Sequence, residues 1–196
     1  MLSQLRPAIV STLAFVLILG IGYPLVVTGI ANLVAPAQAG GSLVKDAKGQ
    51  VVGSALIGQA FTTDRYLWGR PSAAGSGYDA SASSGSNLGP LNPALAEREA
   101  RTAASLRKSG IAGDLPPDAV TASASGLDPD ISPAFALAQV PRIAKARGAP
   151  EAEVRALVAK AVQGPTLGFI GQPRVNVLKT NLALDARFPV RQPRGG

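Results

Sequence analysis

The sequence predicts an α+β soluble domain carried on a single N-terminal transmembrane helix. No charged residue occurs between Arg6 and Lys45, and within that interval Ala8–Val34 is almost entirely apolar. Beyond this interval, short apolar runs alternate with segments that begin and end on helix-capping residues. That alternation is typical of a small domain that mixes helices and strands.

The apolar segment Ala8–Val34 is long enough to cross a bilayer. Its 27 residues would form a helix of roughly 40 Å, whereas the hydrocarbon core of a bilayer is about 30 Å thick. A buried core helix rarely runs so far without a charge. A cleaved signal peptide is the other alternative, because Ala37-Gln38-Ala39 before Gly40 resembles a cleavage site. Its apolar region would be only about 7–15 residues, so we expect a retained anchor.

The charges that flank the span predict its orientation. Arg6 and the N-terminal amine precede the span, and no basic residue follows it before Lys45. Cytoplasmic flanks carry the excess of basic residues, whereas long domains are translocated largely regardless of their charge. We therefore expect a single-pass protein of the cell inner (plasma) membrane, with a cytoplasmic N-terminus and a periplasmic soluble domain.

The composition excludes several classes of chemistry. The chain has no Cys and no His, which rules out disulfides, thiol chemistry, Ser-His-Asp catalysis and histidine metal sites. Its 19 basic and 12 acidic residues give a net charge of +7. The basic residues are scattered, which favours a solvated surface over a nucleic-acid interface. We predict no catalytic residue, no metal ligand and no nucleic-acid partner, and we expect the lipid bilayer to surround the span.

The chain divides by composition into five parts. These are an N-terminal cytoplasmic end (1–7), the transmembrane helix (8–34), a Pro/Ala/Gly linker (35–42), the soluble α+β domain (43–190) and a flexible tail (191–196). Within the soluble domain, caps and periodicity predict the elements in order. They are a β-hairpin of Leu43–Lys45 and Gln50–Ile57, a helix from Pro93 to about Ser109, a strand at Val120–Ser123, a helix from Ser132 to Arg147 interrupted at Pro141, a helix from Pro150 whose apolar face includes Val162, and a strand at Arg174–Leu182.

The segment Arg70–Pro93 has a different composition from the rest of the domain. It is rich in Gly, Ser, Ala, Pro and Asn and has hardly a large apolar side chain. Composition alone indicates a flexible loop. A loop of this length is unusual inside a compact domain, however, and such loops are often functional.

Two short motifs resemble known catalytic or phosphate-binding signatures. Gly85–Gly89 is glycine-rich, but no Lys lies nearby, so it cannot be a Walker A phosphate-binding loop. A looser anion nest made by backbone amides is the alternative, although its signal is unspecific. Ser105 and Lys108 match the Ser-x-x-Lys pair of penicillin-binding enzymes, in which a buried Lys helps to activate the Ser. The companion motifs of those enzymes are missing, which favours a chance match on an exposed helix.

A pair of carboxylates lies in the segment before the Ser132 helix. Asp128 and Asp130 flank Pro129, and two close carboxylates can bind a cation or act as acid and base. The simpler interpretation is that they form turn and cap hydrogen bonds, which are common for Asp at such positions.

The span carries small and polar residues that can face another helix. Gly22 and Gly29 are seven residues apart and lie on nearly one face, where they would allow close approach of a neighbour. Thr28 and Asn32, four residues apart, can hydrogen-bond to such a neighbour.

Five motifs occur in a fixed order along the soluble domain. They are Tyr66–Ser72, Ser84–Pro93, Val120–Ser132, Ala138–Arg142, and Arg174–Leu178 with Asn181–Asp185. Together with the N-terminal span, these motifs resemble the C subunit of the Kdp potassium-transporting ATPase, in the order found in that family. The resemblance covers nearly the whole chain.

This resemblance implies an accessory subunit of a four-part complex. Its partners in that family are a potassium-translocating subunit, a P-type ATPase subunit and a small single-span subunit. The C subunit is described there as essential for assembly, and as a catalytic chaperone that raises the affinity of the ATPase subunit for ATP. ATP is then the cofactor of the partner, and Gln139 is the one side chain that the resemblance marks as nucleotide-contacting.

The predicted topology conflicts with a direct role of this chain in ATP binding. ATP is cytoplasmic, so a domain held outside cannot touch it. We expect instead that the domain covers the potassium entrance on the outer face of the translocating subunit, and that Arg70–Pro93 is ordered. Two other hypotheses are a membrane-anchored periplasmic hydrolase that uses Ser105 and Lys108, and a stand-alone envelope-binding module.

Overall fold

The computed structural model describes residues 2–189, and these residues form two compact units that meet in sequence at Leu43. The first unit is helical, and the second mixes helices and strands, so the predicted fold class is confirmed. The predicted flexible tail, 191–196, lies outside the described residues.

One continuous helix, Leu5–Val34, makes up most of the first unit. It consists of α1 (Leu5–Leu17), a π-helical turn (Ile18–Gly22) and α2 (Tyr23–Val34). In the described part of the chain it is the one helix whose length and mean hydropathy, 2.3, suit a membrane span. The π-helical turn ends at Gly22, two residues before Pro24, whose ring and missing N–H cannot fit a regular α-helical turn.

The small and polar residues of the span differ in what surrounds them. A Cβ atom added at Gly29 would meet no atom within 4 Å, so this position offers open space to a neighbour. The side-chain amide of Asn32 donates to the carbonyl of Thr28 at 2.8 Å. This bond satisfies the amide within its own helix, and packing of another helix on this face stays a prediction.

The second unit contains five strands, six α-helices and one 3-10 turn among the described residues. A single helical turn, α3 (Pro36–Ala39), precedes it within the predicted linker. The elements of the unit are β1 (Leu43–Lys45), β2 (Val51–Ser54), a 3-10 turn (Ala80–Ala82), α4 (Pro93–Lys108), α5 (Pro117–Val120), β3 (Asp130–Ile131), α6 (Pro133–Ala138), α7 (Val140–Arg147), α8 (Glu151–Lys160), β4 (Val162–Gln163), β5 (Arg174–Asn176) and α9 (Val177–Arg187).

The strands form two small sheets. In the first, β1 pairs with β2 through a turn in which Gly49 has a φ of +79°, as the hairpin pattern predicts. In the second, β5 lies between β3 and β4 and is antiparallel to both. Val175, at the centre of this sheet, pairs with Ile131 on one side and with Val162 on the other.

The core lies between this sheet and the helices that surround it. Its fully buried side chains include Leu67, Ile111, Phe135, Ile143, Val154, Val158, Val175 and Leu184. Several polar side chains are buried among them: Gln139, Arg142, Asn176, Thr180 and Asn181. A buried polar group is costly unless it is hydrogen-bonded, so these side chains need partners in the interior.

Helix caps confirm several of the predicted boundaries. The side chain of Asn92 accepts from the amide of Ala94 at the start of α4, and the side chain of Ser132 accepts from the amide of Phe135 at the start of α6. Gly148 ends α7 in a left-handed conformation, with a φ of +61°. The interruption predicted at Pro141 is a break at Gln139, which separates α6 from α7.

Three predictions of secondary structure are wrong. Val120–Ser123 is not a strand, because the carbonyls of Thr121 and Ala122 accept from Arg70 rather than from a neighbouring strand. The strand expected at Arg174–Leu182 ends at Asn176, whose side chain accepts from the amide of Lys179 and starts α9.

The third error concerns the C-terminal end of α8. Val162 belongs to β4 rather than to the apolar face of that helix, because α8 ends at Lys160 and the chain turns into the sheet. The second strand of the hairpin is also shorter than predicted, Val51–Ser54 instead of Gln50–Ile57.

Candidate functional site

Gln139 lies at the break between α6 and α7 and is fully buried, with 0% of its surface exposed. Its side-chain oxygen accepts from the backbone amide of Trp68 at 2.8 Å, and its side-chain nitrogen donates to the carbonyl of Trp68 at 3.1 Å. The oxygen also accepts from the guanidinium of Arg142 at 2.7 Å. Both polar atoms of this amide therefore have partners inside the domain.

The Trp68 pair is one part of a larger arrangement around segment 64–68. This segment begins in a turn, in which the amide of Tyr66 donates to the carbonyl of Thr63 at 3.1 Å. Each of the five consecutive carbonyls of the segment accepts a hydrogen bond from a side chain. The donors are Arg142 to Asp64 and Tyr66, Arg147 to Arg65, Asn181 to Leu67 and Gln139 to Trp68, at distances of 2.7, 3.0, 2.7, 3.0 and 3.1 Å respectively. We call this segment and its four donor side chains the latch.

Asn181 forms two hydrogen bonds with the latch segment, both to the backbone of Leu67. Its side-chain oxygen accepts from the amide of Leu67 at 2.7 Å, and its side-chain nitrogen donates to the carbonyl of the same residue. Asn181 lies on α9 and is buried, as is Leu67. The latch thus connects α9 to the break between α6 and α7, two regions far apart in sequence.

Arg142 is buried against the only Trp of the chain. Its guanidinium carbon lies 3.7 Å from the centre of the Trp68 ring, which is cation–π geometry. Burial lowers the pKa of Arg142 to about 10, and the charge of Asp64 opposes that shift. Because this pKa is still well above neutral pH, the guanidinium stays charged and keeps its hydrogen bonds.

Arg147 connects the latch to the end of α9. Its guanidinium donates to the carbonyls of Leu184 and Phe188 at 3.2 and 2.9 Å, and forms an ion pair with Asp185 at 2.9 Å. The last carbonyls of a helix lack partners within the helix, so a buried guanidinium is a suitable cap. The other carboxylate oxygen of Asp185 accepts from the hydroxyl of Tyr66 at 2.9 Å.

The loop Arg70–Pro93 is held by its own turns and by the segment before β3. The hydroxyl of Ser72 donates to the carbonyl of Gly126 at 2.6 Å and accepts from the amides of Ala74 and Tyr78. The amide of Ser84 donates to the carbonyl of Ser125 at 3.0 Å. These contacts agree with the expectation that the loop is ordered.

Gly126 lies where three stretches of this region meet. Its φ is +66°, and a Cβ atom there would lie 2.6 Å from the amide nitrogen of Ala74 and 2.7 Å from the carbonyl oxygen of Ser84. Only glycine meets both demands, the left-handed backbone and the close approach. The loop and the segment before β3 therefore pack backbone against backbone at this position.

The two carboxylates singled out in the sequence are both paired. Asp128 forms an ion pair with Arg70 at 3.0 Å and accepts from the amide of Asp130, which is a turn hydrogen bond. Asp130 accepts from the side chain of Asn176 at 2.9 Å and pairs with Arg174 at 3.1 Å. No group of three or more acidic residues suited to a metal ion occurs among the described residues. The geometry supports the turn interpretation over a cation site.

Burial raises the pKa of the Asp130 carboxyl, and the charge of Asp128 adds to that effect. The hydrogen bond from Asn176 and the charge of Arg174 act in the opposite direction. This carboxylate is thus a half-buried group held in place by its partners.

Ser105 and Lys108 both lie on the exposed face of α4. Across the described residues no hydrogen bond joins their side chains, and both side chains are open to solvent. A Ser-Lys hydrolase needs a buried, desolvated Lys to accept the proton of the Ser. Within the described residues neither side chain forms a hydrogen bond or ion pair with the latch or with the Asp128 pairings, so the structure offers no activated nucleophile here.

Sequence reasoning missed most of the latch. The sequence predicts Arg147 only as the last residue of a helix and Asn181 as part of a strand, because neither shows a local pattern that marks it as buried. Arg70 and Ser72 were assigned to a polar loop for the same reason. A contact between residues about a hundred positions apart leaves no periodic signal in a single sequence.

A first prediction concerns Asn181→Leu, which keeps the size of the side chain but removes both hydrogen bonds to Leu67. Two buried backbone groups then lack partners, and each costs about 1–3 kcal/mol. We expect the unfolding free energy to fall by about 2–5 kcal/mol. Urea unfolding of the full chain in detergent micelles, followed by the fluorescence of Trp68, measures this loss.

Lys179→Leu is the matched control, because it introduces the same side chain at an exposed position of the same helix. Its effect should stay within about 0.5 kcal/mol. Equal effects of the two substitutions would show that the hydrogen bonds of Asn181 contribute little.

A second prediction concerns Tyr78, whose hydroxyl donates to the carbonyl of Arg70 at 2.7 Å. Burial, and then the charge of Asp128, raise the pKa of Tyr78 to about 12, against the opposing charge of Arg70. Its ordinary value is about 10. The stability that comes from the neutral phenol is therefore complete below pH 10 and is lost as pH rises from about 10 to 12.

Tyr78→Phe should cost about 1 kcal/mol at pH 8, where only the hydrogen bond is lost. At pH 11 the wild type loses about 1.4 kcal/mol through this group and the variant does not, so the difference between them should vanish or change sign. Urea unfolding of both proteins at the two pH values measures this. A difference that stays constant with pH would contradict the burial of the phenol.

Comparison with known proteins gives one family across nearly the whole chain. The family model described as "KdpC: K+-transporting ATPase, c chain" matches residues 5–186. A potassium-transporting ATPase KdpC subunit of Caulobacter sp. (strain K31) is 62% identical over 196 residues, which cover all of both chains.

Other relatives are similar over almost the same length. The KdpC subunit of Caulobacter vibrioides (strain NA1000 / CB15N) is 62% identical over 96% of each chain, and that of Beijerinckia indica is 58% identical over 98% of each chain. The matched region contains the span, the latch and the loop Arg70–Pro93 together. The chain therefore belongs to the KdpC family.

Proposed function

We propose that this chain is an accessory, non-catalytic subunit of an ATP-driven, high-affinity potassium uptake complex, in which it stabilises assembly and promotes transport into the cytoplasm. The full-length similarity carries the proposal, because the three relatives above are named subunits of a potassium-transporting ATPase. Since the similarity includes both the span and the soluble domain, it supports the same membrane-anchored arrangement.

The partners of the chain are the other three subunits that the family resemblance implies. These are a potassium-translocating subunit, a P-type ATPase subunit and a small single-span subunit. Within the bilayer, the face of the span that carries Gly22 and Gly29 is the surface for helix packing, because small residues let backbones approach closely. Open space at Gly29 agrees with that role.

The structure supports a role in assembly rather than in chemistry. Ser105 and Lys108 are exposed and unpaired with each other in the described part of the chain, and the buried polar groups serve the latch. A domain whose interior is cross-linked by side-chain to backbone hydrogen bonds has fixed surfaces. Such a domain can hold partners in one arrangement without ordering itself on contact.

We place the soluble domain on the outer side of the membrane, where it covers the potassium entrance of the translocating subunit. The charge asymmetry around the span supports this placement, with Arg6 before it and no charge after it until Lys45. The domain is strongly basic, since 18 basic residues remain when Arg6 is removed from 19, against 12 acidic residues. It therefore cannot concentrate potassium by its overall field.

Coupling to ATP is then indirect and passes through the partner subunits. The raised ATP affinity described for the family would arise from stabilisation of the assembled ATPase subunit. Contact between Gln139 and a nucleotide stays a prediction that requires the inverted topology. It also requires the two hydrogen bonds between Gln139 and Trp68 to open, because they occupy both polar atoms of the side chain.

Fusion of a reporter after Gly196 tests the proposed placement. Alkaline phosphatase is active only outside the cytoplasm, whereas green fluorescent protein exported in the unfolded state does not fluoresce there. We expect an active phosphatase fusion and a dark fluorescent fusion at the same site. The fusions should also co-purify with the larger subunits when the whole operon is expressed and extracted in mild detergent.

The opposite pattern, an inactive phosphatase beside a bright fluorescent fusion, would overturn the outer placement and restore direct contact with ATP as an option. A chain extracted alone under the same conditions would instead favour a stand-alone envelope-binding module. Labelling of Ser105 by a serine-reactive probe, absent in Ser105→Ala, would favour the hydrolase.

A further inference from the structure

The connection between β4 and β5 presents three large apolar side chains to solvent. Leu167 is 79% exposed, Phe169 is 77% exposed and Ile170 is 51% exposed. Single exposed apolar residues are ordinary, but a cluster of three on one tight loop marks an interaction surface. We call residues 165–171 the apolar knob.

The backbone of the apolar knob is closed by its own hydrogen bonds. The amides of Thr166 and Ile170 donate to each other's carbonyls, both at 2.9 Å. The amide of Gly168 donates to the carbonyl of Pro165 at 3.1 Å. The three side chains therefore project from a loop of defined shape.

One residue of the apolar knob adopts a backbone conformation that is unfavourable for its type. Leu167 has a φ of +54°, a left-handed conformation that a branched aliphatic side chain adopts at a cost. The next residue, Gly168, also has a positive φ, of +84°, which glycine adopts freely. The strained conformation places a large apolar side chain at the tip, where none of the residues 2–189 covers it.

The apolar knob is uncharged, in a domain that is otherwise strongly basic. No charged residue occurs from Ala161 to Pro173, and Lys160 and Arg174 are the nearest charges on either side. Segments that bind lipid surfaces gain affinity from buried apolar area and from basic residues that attract anionic headgroups. The tip of the knob supplies apolar area without charge, which suits a neutral, apolar recess in a protein.

The exposed apolar area of the knob also limits the kind of interface that it can form. Its three side chains expose roughly 400 Å² of apolar surface, about half of the 800 Å² that one partner contributes to a standard interface. That area is too small to hold two copies of this chain together alone. It is sufficient for the anchor of a larger interface between proteins that the membrane already keeps close.

We propose that the apolar knob docks into a neutral apolar recess on the outer surface of the potassium-translocating subunit, with Phe169 as its central anchor. This inference rests on the function proposed above, because the partner and the side of the membrane come from it. The apolar knob is the element of the soluble domain that makes the contact.

Single-cysteine labelling tests the inference, because the chain contains no Cys. Phe169→Cys is compared with Ala152→Cys, a control at an exposed position in the first turn of α8. Each variant is expressed with and without the other subunits, and right-side-out membrane vesicles are treated with a membrane-impermeant maleimide. In the complete complex, labelling of Phe169→Cys should be at least tenfold slower than in the chain alone, while labelling of Ala152→Cys changes less than twofold.

The alternatives give distinct results. Equally fast labelling of Phe169→Cys in both preparations, with the subunits still co-purifying, overturns the docking of the apolar knob and leaves the proposed function standing. Slow labelling of Phe169→Cys both with and without the partners means that lipid covers the knob, which overturns the protein recess. If neither variant is labelled until the vesicles are opened with detergent, the outer placement fails and the inference fails with it.

Discussion

The soluble domain depends on the hydrogen bonds that five consecutive backbone carbonyls, those of residues 64–68, accept from side chains rather than from a neighbouring strand. A backbone carbonyl that packs against the interior needs a hydrogen-bond partner, because an unpaired one is costly there. Here the side chains of Gln139, Arg142, Arg147 and Asn181 supply the partners. Each carbonyl of the segment is held by its own hydrogen bond, and the four donor side chains are held in place by the same bonds.

This arrangement explains how a soluble domain with short strands and short helices joins segments that lie far apart in sequence. The latch joins α9 to the break between α6 and α7, and Arg70, just beyond the latch, bonds to the segment before β3. The loop that follows is then closed against the same segment at Gly126. Three of the five motifs on which the family resemblance rests thus contribute residues to the latch. The other two, Ser84–Pro93 and Val120–Ser132, contact each other in the region around Gly126. A subunit that works by holding others in place gains from such an interior, because its surfaces keep their shape.

The sequence predicts the parts of this fold that local chemistry decides. The start of α4 at Pro93 follows from a cap residue and a proline, and the end of α7 follows from Gly148 in its left-handed conformation. Local chemistry does not decide the rest. Asn176 ends a strand and begins a helix within an apolar run, and only its side-chain hydrogen bonds reveal the change. Gln139 and Asn181 are polar residues whose partners lie 71 and 114 positions away, so their burial cannot be predicted from one sequence.

The exchange of backbone amide hydrogens at Leu67 and Trp68 measures how firmly the latch is closed, because these amides donate to Asn181 and Gln139. The measurement uses the full chain in detergent micelles, with the core helix amide of Ile143 as the internal reference. If the latch holds the domain together, Leu67 and Trp68 exchange only when the whole domain unfolds, at the rate of Ile143. Exchange at the rate of the exposed loop residue Leu91 would show that the latch opens locally and does not hold the domain together.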